Sequence, residues 1–199
     1  MKRRDFLRVT LVGGAAAAVA PLDLWGKGTG KSGFTLWQLP SQGDTIGNSF
    51  VFLTDKGRVI VMDGGMNDET LFLRGFIAAL GNEVEAWFTS HPHNDHVGAL
   101  TKILQKPDGM KINKVYHSRF SDSLLACEAP YQQYALDYYE ALDKSGIEVA
   151  NQTEPGLTGQ IDGLNFKILG VTNEEFRTNP YNNSSMIIRV WDKAKSLVF

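Results

Sequence analysis

His91-Pro92-His93-Asn94-Asp95-His96 decides the reading of this chain, because six residues hold three of its four histidines and a carboxylate. Imidazole and carboxylate are the donors that zinc and similar divalent ions take. Upstream, Val84-Glu85-Ala86-Trp87-Phe88-Thr89-Ser90 has strand character, and downstream Val97 to Leu104 has the apolar spacing of the first turns of a helix. The cluster therefore falls where a strand hands over to a helix, a usual place for function in layered α/β proteins. His91 and His93 are two apart, so on extended backbone they point the same way and can grip one ion. Asp95 and His96 follow where the chain bends into the helix, placed for a second ion. A two-metal site of this kind activates a bound water and clamps both the attacking and the leaving oxygen. A polar surface loop is the competing reading. It accounts for a lone histidine but not for His-x-His-x-Asp-His behind a strand.

The same six residues match the His-x-His-x-Asp-His signature of the metallo-β-lactamase superfamily, and Val59-Ile60-Val61-Met62-Asp63-Gly64-Gly65 resembles that family's earlier strand ending in Asp-Gly-Gly. The resemblance runs over about residues 34–199. It implies an α/β fold, the αββα metallo-β-lactamase sandwich, with one or two metals at one edge, zinc above all but other divalent ions as well. It further implies that His91, His93, Asp95 and His96 are metal ligands, and that Asp95 orients the attacking water or takes its proton. Asp63 would prop the ligand loop without ligating, as carboxylates behind a metal site do. Read without the family, Asp63 is a turn residue before two glycines.

Each zinc takes four or five donors, so two ions need more than these four side chains. His117, the remaining histidine, sits inside an apparent strand, where a histidine is more often packed than ligating. The family supplies a third histidine, a Gly-Asp pair and a last histidine further along. Where the third histidine is expected, this chain has Asn182-Asn183-Ser184-Ser185, a form that resembles the branch containing DNA-uptake competence proteins. Ser196 to Phe199 then reads as the strand that leads into the Gly-Asp. The expectation is a fragment of a longer protein, with the second half of the sandwich incomplete and the remaining ligands beyond Phe199.

The composition, 43% hydrophobic with 11% aromatic, can bury a core, and the length allows one domain. A net charge of −2 lacks the footprint of a dedicated nucleic-acid binder. Cys127, the single cysteine, excludes an internal disulfide and cysteine-rich zinc structures, and reads as a small buried residue on a helix. Residues 1–20 read as an export leader. Arg3-Arg4 precede Phe6-Leu7, and Val9 to Ala20 form an apolar run too short for a stable membrane span. The paired arginines point to the twin-arginine export machinery and to a periplasmic or extracellular location. Pro21 sits awkwardly behind Ala18-Val19-Ala20 and leaves the cut site open, and no nearby cysteine marks a lipoprotein. Residues 21–33 read as a flexible linker; Gly30-Lys31-Ser32 lacks the earlier glycine and the preceding strand of a phosphate loop.

Strands are expected at 34–39, 49–54, 58–62, 114–117, 146–150, 165–169 and 186–190, beside the one before His91. One helix should start at Asn67-Asp68-Glu69 and end at Gly81, with Leu73, Phe76, Ile77 and Leu80 on one face that packs on the sheet. A second, from about Pro130 to Lys144, should bury Tyr131, Tyr134, Ala135, Tyr138 and Leu142. The function expected is an exported metal-dependent hydrolase in which a metal-activated water attacks an ester, an amide or a phosphodiester of a small-molecule or phosphodiester substrate. The alternative is a non-catalytic binding protein on a degenerate form of the fold.

Overall fold

Val59–Asp63 is buried at every residue, and the whole structure is arranged around it. In this computed structural model residues 31–199 are described; the expected leader and most of the linker lie outside them. The first sheet holds β1 (Phe34–Gln38), β2 (Ser49–Thr54), β3 (Val59–Asp63), β4 (Glu83–Phe88), β5 (Lys111–Ile112), β6 (Lys114–His117) and β7 (Glu148–Asn151). Its order is β1-β2-β3-β4-β6-β7, with the short β5 also pairing β4. β1 to β3 form an antiparallel meander, and β3, β4, β6 and β7 run parallel. The second sheet, antiparallel throughout, has the order β11-β10-β9-β8, from β8 (Thr158–Ile161), β9 (Leu164–Gly170), β10 (Ile187–Trp191) and β11 (Ser196–Val198).

Alternation along β3 explains why its composition is apolar throughout. Val59 and Val61 face one core and Ile60 and Met62 the other, so neither face can be polar. The first core packs the sheet against α1 (Thr70–Ala79, entered through a 3-10 turn at Asn67–Glu69), α2 (Asn94–Gln105) and α4 (Gln132–Lys144). Leu73, Ile77, Leu100, Ile103, Tyr138 and Leu142 are among the helical contributions. The second core lies between the sheets, where Phe52, Ile60, Met62 and Phe88 meet Phe166, Ile168, Ile188 and Val190. Burying each such side chain favours the packed layer by roughly 1.5–3 kcal/mol before the entropy of ordering the chain is set against it.

The layers run helix, sheet, sheet. Among the described residues no helix packs on the outer face of the second sheet, where Leu169 and Ile187 stay exposed. The described residues thus supply the helix, sheet and sheet of the expected sandwich. No helix among the described residues is long and apolar enough to cross a membrane.

Two expectations about the segment before α4 need correction. Cys127 is exposed and not a buried helical residue. It lies after α3 (Asp122–Leu125) in a 3-10 segment, Ala126–Tyr131, that Glu128 breaks with non-helical dihedrals (φ −125°, ψ 55°). Tyr131 and Tyr134 stand 47% and 41% exposed, while Tyr139 and Ala141 join Ala135, Tyr138 and Leu142 inside. The sequence reading also passed over β5, β8, α3 and a single turn, α5 (Pro180–Asn183).

Candidate metal centre

β4 ends at Phe88, and the chain crosses Thr89 and Ser90 before the three histidines. Pro92 keeps the segment out of the ladder, and His93 adopts extended backbone (φ −70°, ψ 149°) as the residue that opens α2. The amides of His96 and Val97 both donate to the His93 carbonyl, which starts the helix. Asp95 in its first turn is favoured by the helix dipole. Backbone bonds lash this turn to its neighbours: Asn48 N–H donates to Asp95 O, Gly65 N–H to Asn48 O, and Ala99 N–H to Gly65 O. Gly98 permits the approach, since a Cβ there would lie 2.6 Å from the Asn67 amide nitrogen. From the other sheet, Met186 N–H donates to Ser90 O at 2.7 Å.

The histidine rings turn one nitrogen outward to a protein oxygen and one inward. His91 Nδ1 lies 3.0 Å from Ser90 Oγ and 3.2 Å from Ser185 Oγ. His93 Nε2 lies 3.1 Å from Glu128 Oε2, and His96 Nδ1 lies 2.8 Å from Asp63 Oδ2. Inward, His91 Nε2 and His93 Nδ1 face each other at 3.0 Å, and His96 Nε2 stands 3.5 Å from Asp95 Oδ2. Sequence reasoning thus named His91, His93, Asp95, His96 and Asp63, and the structure brings all five together. It did not name Ser90 or Glu128; Ser185 belongs to the stretch 182–185 that stands where the third histidine is expected, and its hydroxyl reaches His91. His117 stays apart on β6, with its ring against Tyr138 and Tyr139.

Asp63 is built into this arrangement at a conformational cost. Its φ of 54° is left-handed, a region that aspartate enters more readily than most residues. The buried Trp87 indole donates to its carbonyl at 2.9 Å and fixes the turn. Its carboxylate accepts from Ser90 N–H at 2.8 Å and from the Ser90 hydroxyl as well as from His96.

Donor chemistry tests whether a metal fits these residues. A carboxylate accepts, so a neutral His93 ring that donates from Nε2 to Glu128 carries its lone pair on Nδ1, facing His91. His96 donates from Nδ1 to Asp63, which turns Nε2 towards a second acceptor, Asp95. Nitrogen and oxygen donors of the kind a divalent cation takes are thus gathered here. Burial, then the neighbouring His96 and His93 charges, pushes the His91 pKa down to about 2, so its ring is neutral, the state that binds metal. At His96 burial opposes protonation, but the Asp63 hydrogen bond and the Asp63 and Asp95 charges outweigh it and raise the pKa. Two nitrogens on one tetrahedral zinc are about 3.3 Å apart, given bonds of about 2.0–2.1 Å, close to the His91–His93 spacing. The donors stand in two pairs: among the described residues no group of three or more His, Cys, Asp or Glu forms a ready set for one ion. The residues fit a metal.

Comparison with known proteins identifies the family. Residues 43–172 match the family model of the metallo-beta-lactamase superfamily. The chain belongs to that superfamily. Among solved structures it is similar to the metallo-beta-lactamase fold protein YhfI from Bacillus subtilis, at 14% identity and a TM-score of 0.50, over 83% of this chain and 61% of that one. It is also similar to a mutant of the Cronobacter sakazakii metallo-beta-lactamase with the HARLDQ motif, at 14% identity and a TM-score of 0.50, over 76% of this chain and 55% of that one. The chain thus spans little more than half the length of these superfamily structures, and at such identity the likeness concerns the fold. No curated protein matches it.

Proposed function

We propose that the chain carries the metal-binding half of a zinc-dependent hydrolase of the metallo-β-lactamase superfamily. The observation that carries this is the inward pairing of donor atoms, His91 Nε2 with His93 Nδ1 at 3.0 Å and His96 Nε2 with Asp95 Oδ2 at 3.5 Å, each outward nitrogen being held by a protein oxygen. Such outer hydrogen bonds fix ring orientation and tautomer in metal sites. His91 and His93 would hold one ion, and Asp95 and His96 a second. When bound, zinc supplies Lewis acidity to polarise the substrate and lower the pKa of water. The chain's own residues do the rest. Asp63 and Ser90 hold His96 and His91 in place, and Asp95, at the helix start, orients an attacking water or receives its proton. An ester, amide or phosphodiester is the substrate class this chemistry suits, and the net charge of −2 favours small substrates over long nucleic acids.

Titration of the purified metal-free chain with Zn²⁺ against a chromophoric chelator, followed by assays on chromogenic esters, amides and phosphodiesters, tests the reading. Zinc uptake with zinc-dependent turnover is expected, and His93→Ala should weaken uptake at least about tenfold. A chain that takes up no zinc would sink the hydrolase reading and favour the binding protein.

Export by the twin-arginine route is the second part of the proposal, resting on Arg3-Arg4 and the short apolar run behind them. Residues 1–33 fused to a folded reporter should carry it out of the bacterial cytoplasm, and replacing both arginines by lysine should stop it. A reporter exported equally well by the lysine variant overturns the route.

A further inference from the structure

Glu128 lies 35 residues from His93 in sequence, yet its carboxylate is almost wholly buried against it. One oxygen, Oε2, is 3.1 Å from His93 Nε2; the other, Oε1, accepts the Tyr181 N–H at 2.8 Å. The backbone departs from helical dihedrals at this residue alone within Ala126–Tyr131, and the side chain turns inward where its neighbour Cys127 is exposed. The His93 ring is flanked by Tyr131 and Tyr181, each with its centroid 4.8 Å away. Apart from the His91 contact at Nδ1, the neighbours of that ring come from the segment around Glu128 and from the turn that Glu128 anchors.

We propose that Glu128 is a positioning residue for His93, selecting its Nε2–H tautomer so that the Nδ1 lone pair faces His91 Nε2, and that it ties the Tyr181 turn to the same ring. A neutral imidazole carries its proton on either nitrogen, and only one arrangement leaves Nδ1 free for a metal. A buried carboxylate fixed at both oxygens settles the choice, because it can accept from Nε2–H and cannot donate. The chain reaches over the cluster twice by this means. Glu128 orients His93 from the α3–α4 side, and Ser185, just beyond the turn whose Tyr181 amide Glu128 accepts, contacts His91 Nδ1. The proposal rests on the metal-centre reading for its purpose, but the tautomer can be observed without metal.

The experiment compares the chain with E128A and E128Q by ¹⁵N imidazole shifts of the metal-free proteins and by chelator competition for Zn²⁺. In the parent, His93 should carry its proton on Nε2. E128A should mix the tautomers and weaken zinc binding by about ten- to a hundredfold. E128Q, whose amide oxygen still accepts from Nε2–H, should keep the tautomer and recover most of the affinity. A merely structural Glu128 would change the melting temperature and leave the tautomer as it is. Parent-like shifts and affinity in E128A overturn the proposal. If E128A does not fold, E128D keeps the charge but withdraws the carboxylate by one methylene. A folded E128D should lose the tautomer preference and affinity, and one indistinguishable from the parent overturns the proposal too. A parent that shows the Nε2–H tautomer and binds no zinc would overturn the metal-centre reading while leaving the positioning of His93 established.

Discussion

Asp63→Ala should destabilise the metal-free chain by about 3–5 kcal/mol, the cost of removing one partner from a buried, hydrogen-bonded ion pair. Asp63 is 5% exposed and accepts from the Ser90 amide, the Ser90 hydroxyl and His96 Nδ1. Alanine strands all three donors, and His96, whose pKa the pair raises, is left against Asp95 alone. The backbone adds to the loss. At φ 54° an alanine Cβ crowds the following carbonyl, a strain of about 1–2 kcal/mol that aspartate and asparagine meet with local polar contacts. Asp63→Asn separates the two contributions. It keeps the left-handed turn and an acceptor for Ser90 N–H, but its amide nitrogen cannot accept from His96, so it should lose less than alanine and more than nothing. Urea titrations of the three proteins measure this. A loss below about 1 kcal/mol for alanine would show that the Trp87 bond and the sheet hold the turn without the carboxylate.

The centre of the site was legible because its donors are local. Four of them fall within six residues, and Asp63 ends a strand whose continuous apolar run marks it as central. Nothing local announces Glu128, which reaches His93 across 35 residues; Ser185, which reaches His91 across 94, was marked only as part of the stretch standing where the family's third histidine is expected. Those contacts exist only once two helices and the second sheet have closed over the strand ends. β8 escaped for a packing reason. Gly159 has no side chain because the Phe166 ring from β9 lies on its backbone, so the strand loses the residue type by which strands are read. The turn at Pro180 did carry a signal, a proline at the first helical position, that was absorbed into an expected loop. The tyrosine stripe misread the buried face of α4, since a tyrosine can stand at the rim as readily as in the core and the spacing alone admits the face of Ala135, Tyr138, Tyr139 and Leu142. The same break that spoiled the expected burial of Cys127 is what aims Glu128 at His93.

His117→Phe should flatten the pH dependence of stability between pH 6.5 and about 4. Burial, with a smaller push from the Arg119 charge that Asp143 partly offsets, holds the His117 pKa down to about 4. Its Nδ1 is buried without a hydrogen-bond partner, which is consistent with a ring that stays neutral. In the unfolded chain the same ring titrates near pH 6.5. Between those values the unfolded state binds a proton that the folded state refuses, so stability falls as pH falls, by ~1.4 kcal/mol per pH unit and ~3 kcal/mol across the window. Above pH 6.5 the histidine is neutral in both states and contributes no slope. Phenylalanine cannot titrate and fits among Tyr138 and Tyr139, whose rings already pack against His117. Denaturant midpoints of the two proteins at pH 4.5, 5.5 and 7.5 isolate the effect, because His91 and the carboxylates stay the same in both. The phenylalanine variant should gain on the parent as pH drops. Parallel pH profiles would mean that His117 is protonated in the folded chain and finds a partner for its proton after all.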